Sequence, residues 1–121
     1  MKKKLRSKIG SFPAGSLAVL PGVLVALISF GLYLATLAPT ALPRDVNAGL
    51  ADAGLFQVRV YILGIPNPTG YPTYLLLGKL FTYLPVGDIG YRVNLAAAVY
   101  AAVAVLLLFF LLRVLTGRTL P

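Results

Sequence analysis

Two apolar runs without a charged residue, 16–37 (SLAVLPGVLVALISFGLYLATL) and 93–112 (VNLAAAVYAAVAVLLLFFLL), limit what this chain can become. At about 1.5 Å of rise per residue, each run is long enough as a helix to cross the roughly 30 Å hydrocarbon core of a bilayer. A water-soluble domain of 121 residues has no interior large enough to hide both, with 59% of the chain hydrophobic and 12% charged. The expected fold class is an all-α membrane protein, with two transmembrane helices joined by an extracytoplasmic loop that carries short interfacial helices.

Charge sets the orientation. The net charge is +8, but the basic residues do not line one polar face as a phosphate-tracking surface requires, so no nucleic-acid partner is expected. Lys2, Lys3, Lys4, Arg6 and Lys8 precede the first run, and Arg113 and Arg118 follow the second. Positive charge at both ends predicts both termini in the cytoplasm, in a multi-pass protein of the cell membrane. The N-terminal cluster also suits contact with anionic membrane lipid. The expected layout is a basic tail over 1–15, a first span over 16–38, the outer loop over 39–92, a second span over 93–112 and a cytoplasmic tail over 113–121. A basic flank before an apolar run also describes a signal peptide. This run is long for one, and Pro39 adjoins the would-be cleavage site, so an uncleaved anchor is expected. Pro21 leaves two readings open: it occupies the first turn of the helix, or it kinks the inner end of a longer one.

Within the loop, Pro39 and Pro43 end the first helix. A short helix is predicted over 48–63, with Asp45 or Asn47 as N-cap and Gly64 as its stop. The stretch 65–72, IPNPTGYP, holds three prolines and a glycine and predicts a stiff elbow. The following TYLLLGKLFTYL, 73–84, is helical in period but only about 18 Å long as a helix, and Lys79 interrupts it. It is expected to lie in the outer interface with Tyr71, Tyr74 and Tyr83 near headgroup level and Lys79 snorkelling. Pro85-Val86-Gly87 breaks the chain again, and Asp88 is the predicted N-cap of the second span. The alanine-rich first half of that span offers small residues for packing against another helix.

The chain has no Cys, no His and no Glu, which removes a disulfide framework, a zinc site of the usual ligands, and Ser-His-Asp or Cys-His catalysis. No metal or cofactor is expected. A general base must be an Asp, a Tyr or a Lys. Asp45 and Asp88 read as caps. Asp52 would stand near the positive end of the loop helix; on the residues alone it is either a solvated helix-start aspartate or a base. Arg59 and Arg92 suit a phosphodiester, since guanidinium pairs phosphate oxygens in a fixed geometry, and they suit headgroup anchoring almost as well. Neither run contains a charged residue that would line a channel.

The order of several motifs carries a resemblance. Thr36-Leu37-Ala38-Pro39 is followed by Asp52-x-x-x-Phe56 and then by Leu63-Gly64-Ile65-Pro66-x-Pro68-Thr69-Gly70-Tyr71-Pro72. Leu76-Leu77-Gly78-Lys79-Leu80-Phe81, Leu84-Pro85-Val86-Gly87-Asp88 and Tyr91-Arg92-Val93-Asn94-Leu95 complete the series. From about Thr36 to the end of the second run, the chain resembles a bacterial family of multi-spanning membrane proteins. That family, a domain of unknown function, is related to protein O-mannosyltransferases and the GT-C glycosyltransferase superfamily. The resemblance implies a polyprenyl-phosphate sugar as donor and Asp52 as the catalytic aspartate of the first outer loop. It places Asn67 to Pro72, with Tyr71, on the family's His-Pro-x-Gly-Tyr-Pro motif, and Arg92 on the arginine heading the second span. With Arg59, these are the candidate substrate-binding residues. Leu55 stands where the family usually has Glu, and Asn67 where it has His; both changes remove groups able to bind a metal or exchange a proton.

The leading expectation is a truncated or partial GT-C-type glycosyltransferase-like protein, inactive as an isolated chain because two helices cannot enclose a site. Its full-length form would transfer a sugar from polyprenyl phosphate to a hydroxyl acceptor, and further spans or a partner subunit would complete it. The rival is a small non-catalytic membrane interaction subunit.

Overall fold

A computed structural model describes residues 19–41, 51–68 and 70–116, with Ala51 described by its backbone alone. Among them are four α-helices and no strand: α1 Leu20–Ala35, α2 Ala51–Ile62, α3 Pro72–Phe81 and α4 Ile89–Thr116. The all-α expectation holds for these residues.

The helix α4 has 28 residues and is long and apolar enough to cross a membrane. It begins four residues ahead of the apolar run, because Asp88 starts it: the Tyr91 amide donates to Asp88 Oδ1 at 2.7 Å, a side-chain N-cap. The helix α1 has 16 residues, about 24 Å of rise, and falls short of the expected 16–38. Pro21 lies in its first turn, where a missing N–H costs nothing, which decides between the two readings of that proline. The basic cluster Lys2 to Lys8, Pro43, the predicted cap at Asp45 or Asn47, and Arg118 lie outside the described residues.

The chain divides into two compact units. In Met1–Leu32 with Ala101–Pro121, a Cβ added to Gly22 would stand 2.6 Å from the Phe109 ring, so the absence of a side chain there lets α1 and α4 approach closely. The other unit, Tyr33–Tyr100, holds the loop and the head of α4. Its core is Val60 of α2, Leu75 of α3 and Val93 of α4, with Tyr74 packed against them. Gly78 of α3 meets Val60 so closely that a Cβ would lie 3.0 Å from its Cγ1, which fixes where α2 and α3 cross. An edge-to-face aromatic series ties the same three helices together: Phe56 to Tyr74 at 5.7 Å, Tyr74 to Tyr100 at 5.8 Å and Tyr100 to Phe81 at 6.1 Å between centroids.

The ends of the loop helices follow the local sequence. Leu63 takes a left-handed conformation at φ 54°, and the Gly64 amide returns to the Arg59 carbonyl at 3.0 Å, closing α2 where Gly64 was expected to stop it. The helix α3 starts one residue before the expected stretch, on Pro72, and ends three residues short of it. Lys79, expected to snorkel, donates instead to the Tyr61 carbonyl at the open end of α2 and lies 4.7 Å from the Tyr61 ring centroid and 5.5 Å from that of Tyr83.

Candidate functional site

Asp52 opens α2, in the first turn of a helix that carries Arg59 in its last. At about 100° per residue, Asp52, Phe56 and Arg59 fall on one face, with Asp52 and Arg59 roughly 10 Å apart along the axis. Phe56 shows where that face leads, because its ring meets Tyr71 edge-on at 5.2 Å between centroids. The face therefore runs towards the junction of the elbow with α3. Asp52 is exposed and has no hydrogen-bond or ion-pair partner among the described residues. Arg59 is half-buried, its Nε is buried without a hydrogen-bond partner, and its side chain folds back over Gly64, where a Cβ would stand 2.9 Å from Cδ.

The elbow is held in strained backbone. Tyr71 sits at φ 47°, ψ 49° immediately before Pro72, a left-handed position disfavoured for a residue with a Cβ and again by the proline ring after it. With Leu63, it is one of two non-glycine residues of positive φ among the described residues, one near each end of the elbow. Between them the Gly70 amide donates to the Asn67 carbonyl at 2.9 Å, closing a turn. No side chain caps α3. Half-burial pushes the Tyr74 phenol above its ordinary pKa through desolvation, so it stays protonated beside Phe56.

Arg92 stands apart from this group in its bonding. Its Nε donates to the Val86 carbonyl at 2.8 Å, Nη1 to Thr82 at 2.9 Å and Nη2 to Gly87 at 3.0 Å. Three of the five N–H donors of the guanidinium thus hold the turn between α3 and α4.

Sequence reasoning missed the polar cluster at the head of α4. Asn94 lies in the apolar run, and its Nδ2 donates to the carbonyls of Ala38 at 3.0 Å and Thr40 at 3.2 Å. Its Oδ1 accepts from Gln57 Nε2 at 2.6 Å, and Gln57 is almost fully buried in α2. The Thr40 hydroxyl bonds the Asp88 carboxylate, and that bond, ahead of the Tyr91 amide, holds the Asp88 carboxyl below its ordinary pKa. A Cβ at Gly90 would collide with the backbone of Thr40 and Ala41. The available signal was an amide inside an otherwise apolar stretch, where an unpaired polar group is costly.

Residues 52–120 match the family described as protein O-mannosyl-transferase TMEM260 N-terminal domain. The chain belongs to this family. It is similar to the mouse protein O-mannosyl-transferase TMEM260, with 35% identity over 109 residues that make up 89% of the chain. It spans 15% of the length of that relative. No solved structure matches it. The relation to protein O-mannosyltransferases read from the motifs holds, and nothing in these matches confines the family to bacteria. The family match begins at Asp52, so it takes in the Asp52 face, the elbow and the head of α4 together.

Proposed function

We propose that the chain is part of a GT-C-type glycosyltransferase-like membrane protein, with α1 and α4 in its first and second spans and α2 and α3 in an extracytoplasmic loop over 39–92. Both termini are cytoplasmic in this reading, in a multi-pass protein of the cell membrane. Its donor is a polyprenyl-phosphate sugar and its acceptor a hydroxyl group; the name of the mouse relative points to mannose as the sugar. The observation that carries the reading is the Asp52 face of α2: an exposed carboxylate at the first matched residue, in line with a guanidinium, beside the strained elbow.

In the reaction Asp52 takes the proton of the acceptor hydroxyl as its oxygen attacks the anomeric carbon. The bond from that carbon to the phosphate oxygen breaks, and polyprenyl phosphate leaves with the electron pair. Arg59, whose Nε has no hydrogen-bond partner, pairs with the donor phosphate, and Tyr71 and Asn67 bound the sugar. Arg92 contributes from the turn it holds, with the N–H groups not given to carbonyls. Further spans or a partner subunit supply the walls that exclude water. Exposed Leu76, Leu77, Leu80 and Tyr83 of the α3 region, with Ile62 and Ile65, favour seating of the loop in the outer lipid interface.

The test is sugar transfer from a polyprenyl-phosphate donor to a hydroxyl acceptor, with the chain in its longer polypeptide or with its partner. Asp52→Asn should lower turnover on the order of 10² to 10⁴, the range of a general base, and Asp88→Asn should not. Wild-type turnover in the Asp52 variant would remove the catalytic reading and leave the non-catalytic subunit.

A further inference from the structure

We infer that Asn94 is a positioning residue, a polar hub that helps fix the Asp52 helix against the second span. The observation is the convergence on one side chain. Its Oδ1 holds α2 through Gln57, and its Nδ2 holds the segment leaving α1 through the carbonyls of Ala38 and Thr40. These partners lie 37, 56 and 54 residues away in sequence. An amide is the side chain suited to this place, because it accepts and donates at once without a charge, and a partly buried carboxylate or ammonium would carry a desolvation cost.

The two arms of the hub differ in redundancy. The segment leaving α1 is also held by the Thr40–Asp88 bond and by its close approach to Gly90. The segment 42–50 that leads into α2 lies outside the described residues, and Gln57–Asn94 is a side-chain hydrogen bond that joins α2 to α4 directly. Asp52 lies five residues before Gln57 on the same helix, so the place of its carboxylate depends on this bond together with the packing of Val60 against Val93. The catalytic meaning rests on the reading of Asp52 as the base; the positional claim does not.

The chain has no cysteine, so pairs of introduced cysteines can carry nitroxide labels without background. In the full chain in phosphatidylcholine vesicles, labels at Asp52→Cys with Ala97→Cys report α2 against α4, and Ala35→Cys with Ala97→Cys report the segment leaving α1. Ala35 and Ala97 are exposed positions. Gln57→Leu should widen the 52–97 distance distribution roughly twofold and leave 35–97 narrow, with helical content unchanged. Asn94→Leu should widen both. The exchange Gln57→Asn with Asn94→Gln keeps the combined reach and should restore the narrow 52–97 distribution. A 52–97 distribution as narrow in Gln57→Leu as in the parent overturns the inference, and this single variant decides if Asn94→Leu fails to insert. Equal widening of both pairs by Gln57→Leu overturns it as well, since that is general loosening. Active Asp52→Asn together with the expected widths would remove the catalytic reading and leave the hub standing.

Discussion

The head of α4 and the Asp52 face of α2 use polar side chains in opposite ways. At the head of α4, Asp88 caps a helix and holds Thr40, Arg92 binds three carbonyls, and Asn94 joins three segments. On α2, Asp52 has no partner among the described residues and Arg59 buries an unpartnered Nε. The backbone divides along the same line: among the described residues, the two left-handed non-glycine positions lie near the ends of the elbow. A buried polar group left without a partner lowers stability, so a fold keeps one where something else requires it. The paired region reads as architecture, and in the proposed function the Asp52 face of α2 is the side that meets the ligand.

The two arginines give the largest contrast. Arg59→Ala should lower transfer about 10- to 100-fold, the loss of one or two charge-assisted bonds to phosphate, with little change in thermal stability. Arg92→Ala should do the reverse in its main effect, costing about 1.5–3 kcal/mol as three carbonyls lose their donors. Thermal unfolding in detergent beside the transfer assay separates them. Equal stability losses would erase the distinction between the two regions.

Gly90→Ala comes next. The backbone of Thr40 and Ala41 lies where the methyl group must go, and backbone cannot rotate aside as a side chain can. The expected cost is roughly 1–3 kcal/mol, the range for overpacking. Gly31→Ala in α1 is the control, since a Cβ there meets nothing within 4 Å and alanine favours a helix interior. If both substitutions stabilise the chain, the close approach at Gly90 is wrong.

The local features of the fold were legible in the sequence, and the long-range ones were not. Asp88 as cap, Gly64 as stop and the helix of the second apolar run depend on neighbours a few residues away. The Asn94 hub depends on carbonyls more than fifty residues distant, and a carbonyl leaves no mark in the sequence. Leu63 and Tyr71 in left-handed backbone run against residue preference, which assigns such places to glycine, and tertiary packing such as the Tyr71–Phe56 contact overrides it. Asp52 and Arg59 could be named from their chemistry, but the absence of a partner for the Asp52 carboxylate and for Arg59 Nε among the described residues could not be read from the sequence.

Acid should act on the paired region through Asp88. Its folded pKa lies below the ordinary carboxylate value of about 3.8, so its contribution is complete above that value and is lost as pH falls through the folded one. Hydrogen exchange at the Tyr91 amide should rise as pH falls below the ordinary carboxylate value of about 3.8, relative to neutral pH and after correction for intrinsic rates. Asp88→Asn should flatten that rise. A parent profile as flat as the variant's would mean that the Thr40 and Tyr91 contacts do not favour the charged carboxyl.

The smallest expected effect tests the strained side, and it is a difference between two variants at Tyr71. Tyr71→Ala and Tyr71→Gly both lose the ring that meets Phe56, so that loss cancels between them. They differ in backbone. In most loop positions alanine is the more stable of the two by about 0.4–1 kcal/mol, because glycine gives the unfolded chain more freedom. At φ 47°, ψ 49° the alanine Cβ carries a left-handed cost of roughly 1–2 kcal/mol that glycine does not. The order should therefore invert, with the glycine variant more stable by about 0.5–1 kcal/mol. Limited proteolysis of the loop and thermal unfolding in detergent are the measurements, made on both variants under one condition. Alanine above glycine would mean that the residue before Pro72 relaxes to extended backbone, and the elbow would then hold no strain. With the order inverted and transfer lost in both variants, the ring would be assigned to the site and the strain to holding it there.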